Sequence, residues 1–205
     1  MTAEKWLFPI QTATCHSNGG DKTEIRPIET IYNGYRFRSR LEAKWAVFFD
    51  SAGIEYEYEP QGYELPDGRK YLPDFYLINV YPRFSNYKGI WLEVKGALSD
   101  EDYSRISIFS GDYDTDKNLK ERPIIIAGQI PKSCYDVFFD VFDNRLFNFN
   151  LVDGDNYTGF FYKTNSRIEL QGFENVDSLK GFEHFNNALL KARQARFEHS
   201  EKPQL

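Results

Sequence analysis

The sequence predicts an α/β (α+β) domain on a mixed sheet, with the order α-β-β-β-α-β and an added C-terminal helix. Three observations carry this. Residues 39–52 hold an apolar stripe at helical spacing. Residues 54–96 hold three strand-like segments separated by turn residues. Pro123-Ile124-Ile125-Ile126-Ala127 then follows a second capped helix as a continuous apolar run, the pattern of a strand buried on both faces.

Taken in order, residues 1–30 are polar and irregular and read as an N-terminal arm. Ile31 to Phe37 reads as a hairpin turning at Asn33-Gly34. Ser39 to Ala52 reads as a helix, because Leu41, Trp45, Phe48 and Ala52 fall on one stripe and Gly53 stops it. Ile54 to Leu65 alternates acidic and aromatic residues, as a strand does. Pro66-Asp67-Gly68-Arg69 is a turn, and Tyr71 to Val80 is a second strand. Tyr81 to Lys88 is an aromatic, polar loop, and Gly89 to Gly96 is a third strand.

Ser99 caps a helix running to Ser110, with Asp100, Glu101 and Asp102 in the first turn, where the helix dipole favours acids. Three strands in succession fit an antiparallel meander, and a helical crossover then adds the fourth, at Arg122 to Gln129. Val137 to Phe142 fits a helix or a strand equally, Phe160-Phe161-Tyr162 reads as a strand, and Leu179 to Glu198 as a helix. The expected organisation is an arm over 1–30, a core over 31–130, and an extension over 131–205 that packs on the core and ends in a helix.

Composition narrows the function classes. The chain has 205 residues, 41% hydrophobic and 17% aromatic, enough for a substantial core. Its net charge of −6 gives no global attraction to a polyanion, so any nucleic-acid contact must come from a local basic patch. Two cysteines, Cys15 and Cys134, make no disulfide framework and fit a reducing compartment. The three histidines show no zinc spacing, and the Cys15-His16 pair is at most half a site. Met1 to Gln11 has no long apolar run after a basic start, and no 18-residue apolar stretch exists, so neither a signal peptide nor a membrane span is expected. Asp112-x-Asp114-x-Asp116 lacks the glycine and closing glutamate of a calcium loop and reads as a solvated loop. There is no glycine-rich phosphate loop.

The chemistry concentrates in four residues. Side chains alternate along a strand, so Glu93 and Lys95 share a face with Trp91, while Ile90, Leu92 and Val94 share the other. Asp74 shares a face with Leu72 and Tyr76, and if its strand neighbours the third, Asp74 approaches Glu93. Pro73 lacks an N–H and breaks the ladder at that point. Glu42 lies on the shoulder of the helical stripe, facing back over the sheet. Carboxylates so placed attract a hard divalent cation such as Mg²⁺, and a lysine beside them orients water or offsets phosphate charge. Each residue has a plainer reading. Glu93 and Lys95 also fit a charge pattern on a solvated face, Asp74 a strand-end turn, and Glu42 a capping box with Ser39. Arg36, Arg38, Arg40 and Lys44 form a basic cluster suited to phosphate contact, or equally to surface salt bridges. Arg69, Lys70, Lys191, Arg193 and Arg196 are weaker candidates, and Tyr81, Phe84 and Tyr87 either stack on bases or pack on the domain.

The segments Tyr-Asn-Gly-Tyr-Arg-Phe-Arg-Ser-Arg-Leu-Glu-Ala-Lys-Trp-Ala-Val-Phe-Phe (32–49), Tyr-Glu-Tyr-Glu-Pro (56–60), Tyr-Leu-Pro-Asp-Phe (71–75) and Trp-Leu-Glu-Val-Lys-Gly (91–96) resemble the PD-(D/E)XK nuclease superfamily, the restriction endonuclease-like fold. The resemblance spans roughly residues 32–96, and the chain also looks like a branch of that superfamily found in bacteriophages and mobile elements. Ala195 to His199 is similar to the C-terminal helix of that branch. The resemblance implies a Mg²⁺-dependent nuclease (Mn²⁺ as a substitute) that hydrolyses phosphodiester bonds, with DNA as partner, in a bacterial or phage-infected cytoplasm. It implies Asp74 and Glu93 as metal ligands, Lys95 as the catalytic lysine and Glu42 as the helix-borne acid. The Val94 carbonyl is a further candidate ligand. A protein partner or a homodimer would make good the missing basic surface. The alternative is a binding or inhibitory module that keeps the fold and cleaves nothing.

Overall fold

The computed structural model describes residues 27–82, 88–111, 122–132, 146–149, 159–163, 168–172 and 180–197. Among these residues the fold is mixed α+β, with several sheets and three helices. The expectations at Cys15, His16, Phe84, Tyr87, Asp112 to Asp116, Cys134, Val137 to Phe142 and His199 lie outside those residues. So does most of the arm. Among the described residues no helix is long and apolar enough to cross a membrane.

The chain enters through a hairpin, β1 (Thr30–Tyr32) and β2 (Tyr35–Phe37). Asn33 and Gly34 both take positive φ, at 48° and 82°, which is the conformation a two-residue hairpin turn requires. Helix α1 (Arg40–Ala52) follows, capped by Ser39 and closed by Gly53 at φ 73°. Its buried face is broader than the predicted stripe, because Ala43, Ala46 and Phe49 join Trp45, Phe48 and Ala52. The reason is that the helix is covered on two sides, by the sheet and by the last helix, α3 (Lys180–Gln194), whose Phe185 meets Phe48.

Three antiparallel strands form one side of the main sheet: β3 (Tyr56–Tyr58) at the edge, then β6 (Phe75–Leu77) and β8 (Ile90–Val94). Helix α2 (Asp100–Ser110) then crosses over to β9 (Ile124–Ala127), which pairs with β8 in parallel. A further strand, β10 (Leu146–Phe149), closes the order β10-β9-β8-β6-β3. The predicted meander and crossover are therefore both present.

Two predicted strands are shorter than expected. Ile54 to Leu65 divides into β3 and β4 (Tyr63–Glu64), because Glu59 takes a left-handed φ of 47° and Pro60 follows it. Tyr71 to Val80 divides into β5 (Lys70–Tyr71), β6, and β7 (Val80–Pro82), with Pro73 between the first two. β4 and β5 pair around the Pro66–Arg69 turn as a separate hairpin. β7 instead pairs with β12 (Ile168–Gly172), which pairs with β11 (Gly159–Lys163) over the predicted Phe160-Phe161-Tyr162. Helix α3 ends at Gln194, so residues 195–197 follow it rather than extend it. There Phe197 packs edge-on against Tyr32.

The sheet is buried on both faces. Phe75, Leu77, Ile90, Leu92, Val94, Ile125 and Ala127 face α1 and α3. Trp91, Ile124 and Ile126 face α2 through Ile106 and Phe109. Each fully buried side chain of this size contributes roughly 1.5–3 kcal/mol, and the two cores clamp β8 between them. That clamp fixes the end of β8, where Glu93, Val94 and Lys95 lie.

Candidate active site

Register places the first two acids. Phe75 pairs with Leu92, so one step along the antiparallel pair sets Asp74 opposite Glu93. The next step sets Pro73 opposite Val94. The N–H of Val94 points towards β6, since Trp91 and Lys95 direct theirs to β9. Pro73 has no N–H to donate to the Val94 carbonyl, so the ladder stops here. The Val94 N–H donates to the Asp74 carboxylate at 2.7 Å, which holds that side chain at the end of the ladder.

Glu42, Asp74 and Glu93 are all buried, at 6%, 3% and 4% exposure, and every carboxylate oxygen has an internal partner. Glu42 Oε1 accepts from Ser39 Oγ at 2.7 Å. Its Oε2 accepts from Tyr58 Oη at 2.6 Å and the Arg38 backbone N–H at 3.1 Å. Asp74 Oδ1 meets the Arg38 guanidinium at 2.5 Å. Glu93 Oε2 accepts from Tyr71 Oη at 2.9 Å, and its Oε1 meets Lys95 Nζ at 3.0 Å. Lys95 also reaches Asp102 Oδ1 at 3.1 Å.

The capping reading of Glu42 is half realised. Ser39 Oγ accepts from the Glu42 N–H at 3.2 Å, yet the Glu42 carboxylate goes to the Ser39 hydroxyl and the Arg38 N–H, on the side of the acids. A solvated charge pattern does not describe Glu93, which is buried.

Electrostatics mark the cluster as short of positive charge. Burial, then Glu93, then Glu42 push the Asp74 carboxyl well above the ordinary carboxylate range, against the Val94 N–H and Arg38. Burial disfavours the Lys95 ammonium, but Glu93 and Asp102 outweigh it and hold its pKa above the ordinary value. Lys95 is therefore a cation at neutral pH, suited to orienting a water or offsetting phosphate charge.

The donor set consists of hard oxygen atoms, the type that Mg²⁺ prefers. Among the described residues no three His, Cys, Asp or Glu side chains gather closely enough to hold a metal ion. Glu42 thus does not close with Asp74 and Glu93 into a three-carboxylate cluster in this arrangement. Asp74, Glu93 and the carbonyl of Val94, which register sets opposite a proline unable to donate to it, are the oxygen donors that could hold a first metal once their present partners move.

The basic cluster divides. Arg36 pairs with Glu29 on the surface at 2.7 Å. Arg38, though half-exposed, reaches Asp74 and Glu59, at 2.6 Å from the latter. Arg40 and Lys44 are half-buried on the first turns of α1. Of the weaker candidates, Arg69 is engaged with Asp67 and Ser104, and Arg193 with the carbonyls of Pro131 and Lys132. Sequence reasoning missed Tyr58, Glu59, Tyr71 and Asp102 as partners of the site. Tyr58 and Tyr71 stand in quoted motif segments, and Asp102 in the acidic first turn of α2.

No family model, no curated protein and no solved structure matches the chain in comparisons with known proteins.

Proposed function

We propose that this chain is a metal-dependent nuclease of the PD-(D/E)XK type, with a restriction endonuclease-like core, that hydrolyses phosphodiester bonds of DNA as an endonuclease. One observation carries the reading: the β6–β8 register sets Asp74, the residue before β6, beside Glu93 near the end of β8, and Lys95 Nζ is 3.0 Å from Glu93. Their residue types and order are those that the sequence resemblance implies, which supports the reading.

Asp74, Glu93 and the Val94 carbonyl would hold Mg²⁺, with Mn²⁺ as a substitute, and Glu42 would serve a second ion or its waters. The bound ion supplies Lewis acidity towards the phosphate and lowers the pKa of its water. Lys95, fixed between Glu93 and Asp102, orients the attacking water or offsets charge on the phosphate. Tyr71 and Tyr58 hold Glu93 and Glu42 by one hydrogen bond each, which sets the direction of the free lone pairs.

A second reading has its own support. Every carboxylate oxygen of the cluster is already partnered within the chain, and the net charge is −6. Both suit a module that keeps the fold, binds a nucleic-acid structure or a protein, and does not cleave.

The test is a panel of labelled single-stranded, duplex and branched DNA and RNA with Mg²⁺, Mn²⁺ or EDTA, using wild type and Asp74→Ala. Metal-dependent cleavage lost in Asp74→Ala is expected. Mg²⁺ calorimetry separates the two readings: no heat dependent on Asp74 and no cleavage of any substrate would leave the binding module.

A further inference from the structure

Arg38 reads from sequence as a phosphate contact, yet its guanidinium lies between two carboxylates. Nη2 is 2.5 Å from Asp74 Oδ1 and Nε is 2.6 Å from Glu59 Oε1. The Asp74 side chain is only 4% exposed, while that of Arg38 is 54% exposed. A solvent-facing cation thus covers one oxygen of a buried acid. We propose that Arg38 is a displaceable counter-cation that occupies the Asp74 side of the metal site until nucleic-acid phosphate draws it away. The inference rests on the metal-site reading given above.

Three features support a side chain that moves while its backbone stays. The Arg38 backbone N–H is anchored, to Glu42 Oε2 at 3.1 Å and Tyr58 Oη at 3.0 Å. Leaving Asp74 therefore needs only rotation about side-chain bonds, on the exposed side. The fork of a guanidinium matches a phosphate diester as well as it matches a carboxylate, so phosphate is a direct competitor for it. Glu59 is a fixed second anchor: its left-handed backbone, at φ 47°, lets its N–H bond the Asp74 carbonyl at 2.8 Å while its side chain meets Arg38.

A guanidinium and a divalent cation cannot both take the same face of Asp74 Oδ1. Metal loading is therefore opposed by Arg38 in the free protein and relieved when phosphate engages Arg38. By linkage the two ligands then favour each other, typically 5- to 150-fold for coupled sites. The positive charge taken from Asp74 is replaced by the metal, and the phosphate gains the arginine. The acidic chain thereby avoids holding a loaded site in the absence of substrate.

The test is Mn²⁺ titration, read by the electron paramagnetic resonance of free Mn²⁺. It compares wild type, Arg38→Gln, Arg38→Lys, Arg36→Gln and Asp74→Asn, alone and with a phosphorothioate-backbone dT oligonucleotide whose own Mn²⁺ binding is subtracted. Without nucleic acid, Arg38→Gln should bind Mn²⁺ about tenfold tighter than wild type. Arg36 meets Glu29 rather than Asp74, so without nucleic acid Arg36→Gln should match wild type. Arg38→Lys keeps the charge without the fork and should fall between wild type and Arg38→Gln. The oligonucleotide should tighten Mn²⁺ binding more in wild type than in Arg38→Gln. Equal or weaker Mn²⁺ binding by folded Arg38→Gln, or equal tightening in both proteins, overturns the role of Arg38 and leaves the metal site standing. The absence of any Asp74-dependent Mn²⁺ binding, with or without oligonucleotide, overturns the metal site and this inference together.

Discussion

The Asp74 carboxylate accepts the backbone N–H of Val94 at 2.7 Å, just beyond the last residue pair of β6 and β8. Register sets Pro73 opposite Val94, and a proline has no N–H with which to continue the ladder. A side chain thereby enters the plane of the sheet where the ladder ends, within reach of Glu93 and Lys95. The same break leaves the Val94 carbonyl facing a residue that cannot donate to it. Pro73 accounts for the candidate carbonyl ligand, and the bond from the Val94 N–H for the position of the first acid.

Lys95→Ala should abolish cleavage and leave the fold intact. Lys95 is partly exposed and its two ion pairs are with Glu93 and Asp102, so its loss removes little packing. A positioned proton-transfer or water-orienting group contributes typically 10²–10⁴-fold. Gel assays of cleavage beside circular dichroism check this, and a folded variant cutting at the wild-type rate would sink the proposed mechanism.

Tyr71→Phe should keep the fold but loosen Glu93. The Tyr71 ring is packed against Phe109, and its hydroxyl spends its bond on Glu93 Oε2. Removing that hydroxyl leaves one buried carboxylate oxygen without its donor, at a cost of about 1–3 kcal/mol. Loss of such an outer partner typically lowers metal affinity or activity by about 10–100-fold. Urea midpoints and Mg²⁺ calorimetry measure the two effects separately. A variant with wild-type stability and wild-type affinity would show that the hydroxyl does not hold Glu93.

Much of this arrangement can be read from sequence because it follows from period and punctuation. The alternation of Ile90 to Lys95 assigns Leu92 and Val94 to one core and Trp91 to the other. Ser39 and Gly53 bracket α1 as expected. What sequence does not reveal depends on partners distant along the chain. Nothing in the run Arg36 to Arg40 indicates that Arg38 meets Glu59 and Asp74, since those acids arrive only when β3 and β6 pair. Tyr58 and Tyr71 alternate like core residues, and their hydroxyl bonds depend on carboxylates brought by other elements. The break after Tyr58 also escapes a pattern of acidic and aromatic residues. It lies in the backbone of Glu59, a non-glycine residue at positive φ.

Asp74→Asn should stabilise the protein in EDTA while abolishing metal-dependent cleavage. Burial and the neighbouring Glu93 and Glu42 disfavour the ionised Asp74 carboxyl more than Arg38 and the Val94 N–H favour it. An amide oxygen still accepts the Val94 N–H without adding charge. Relief of about 1 kcal/mol would raise Tm by roughly 2–4 °C for a chain of this size. Scanning calorimetry in EDTA checks it. A fall in Tm of several degrees would mean that the ion pair with Arg38 outweighs the repulsion, contrary to the electrostatic argument.

Asp102 joins the site to the start of α2 and gives a dependence on pH. Its carboxyl caps the helix by accepting from Ser99 N and Oγ while its other oxygen meets Lys95. Partial burial pushes this carboxyl up, and the Ser99 hydrogen bonds with the Lys95 ammonium outweigh that, leaving it below its ordinary value of 3.8. A carboxyl lowered in the folded state contributes stability that is fully present above its unfolded value and is lost as pH falls through its folded value. The stability difference between wild type and Asp102→Asn should therefore stay constant from neutral pH down to the ordinary carboxylate range, at about 1 kcal/mol, the usual size of a helix cap. Below that range it should shrink towards zero. Urea unfolding of both proteins across this range measures the difference. A gap that persists undiminished in strong acid would show that the Asp102 charge holds neither the cap nor Lys95.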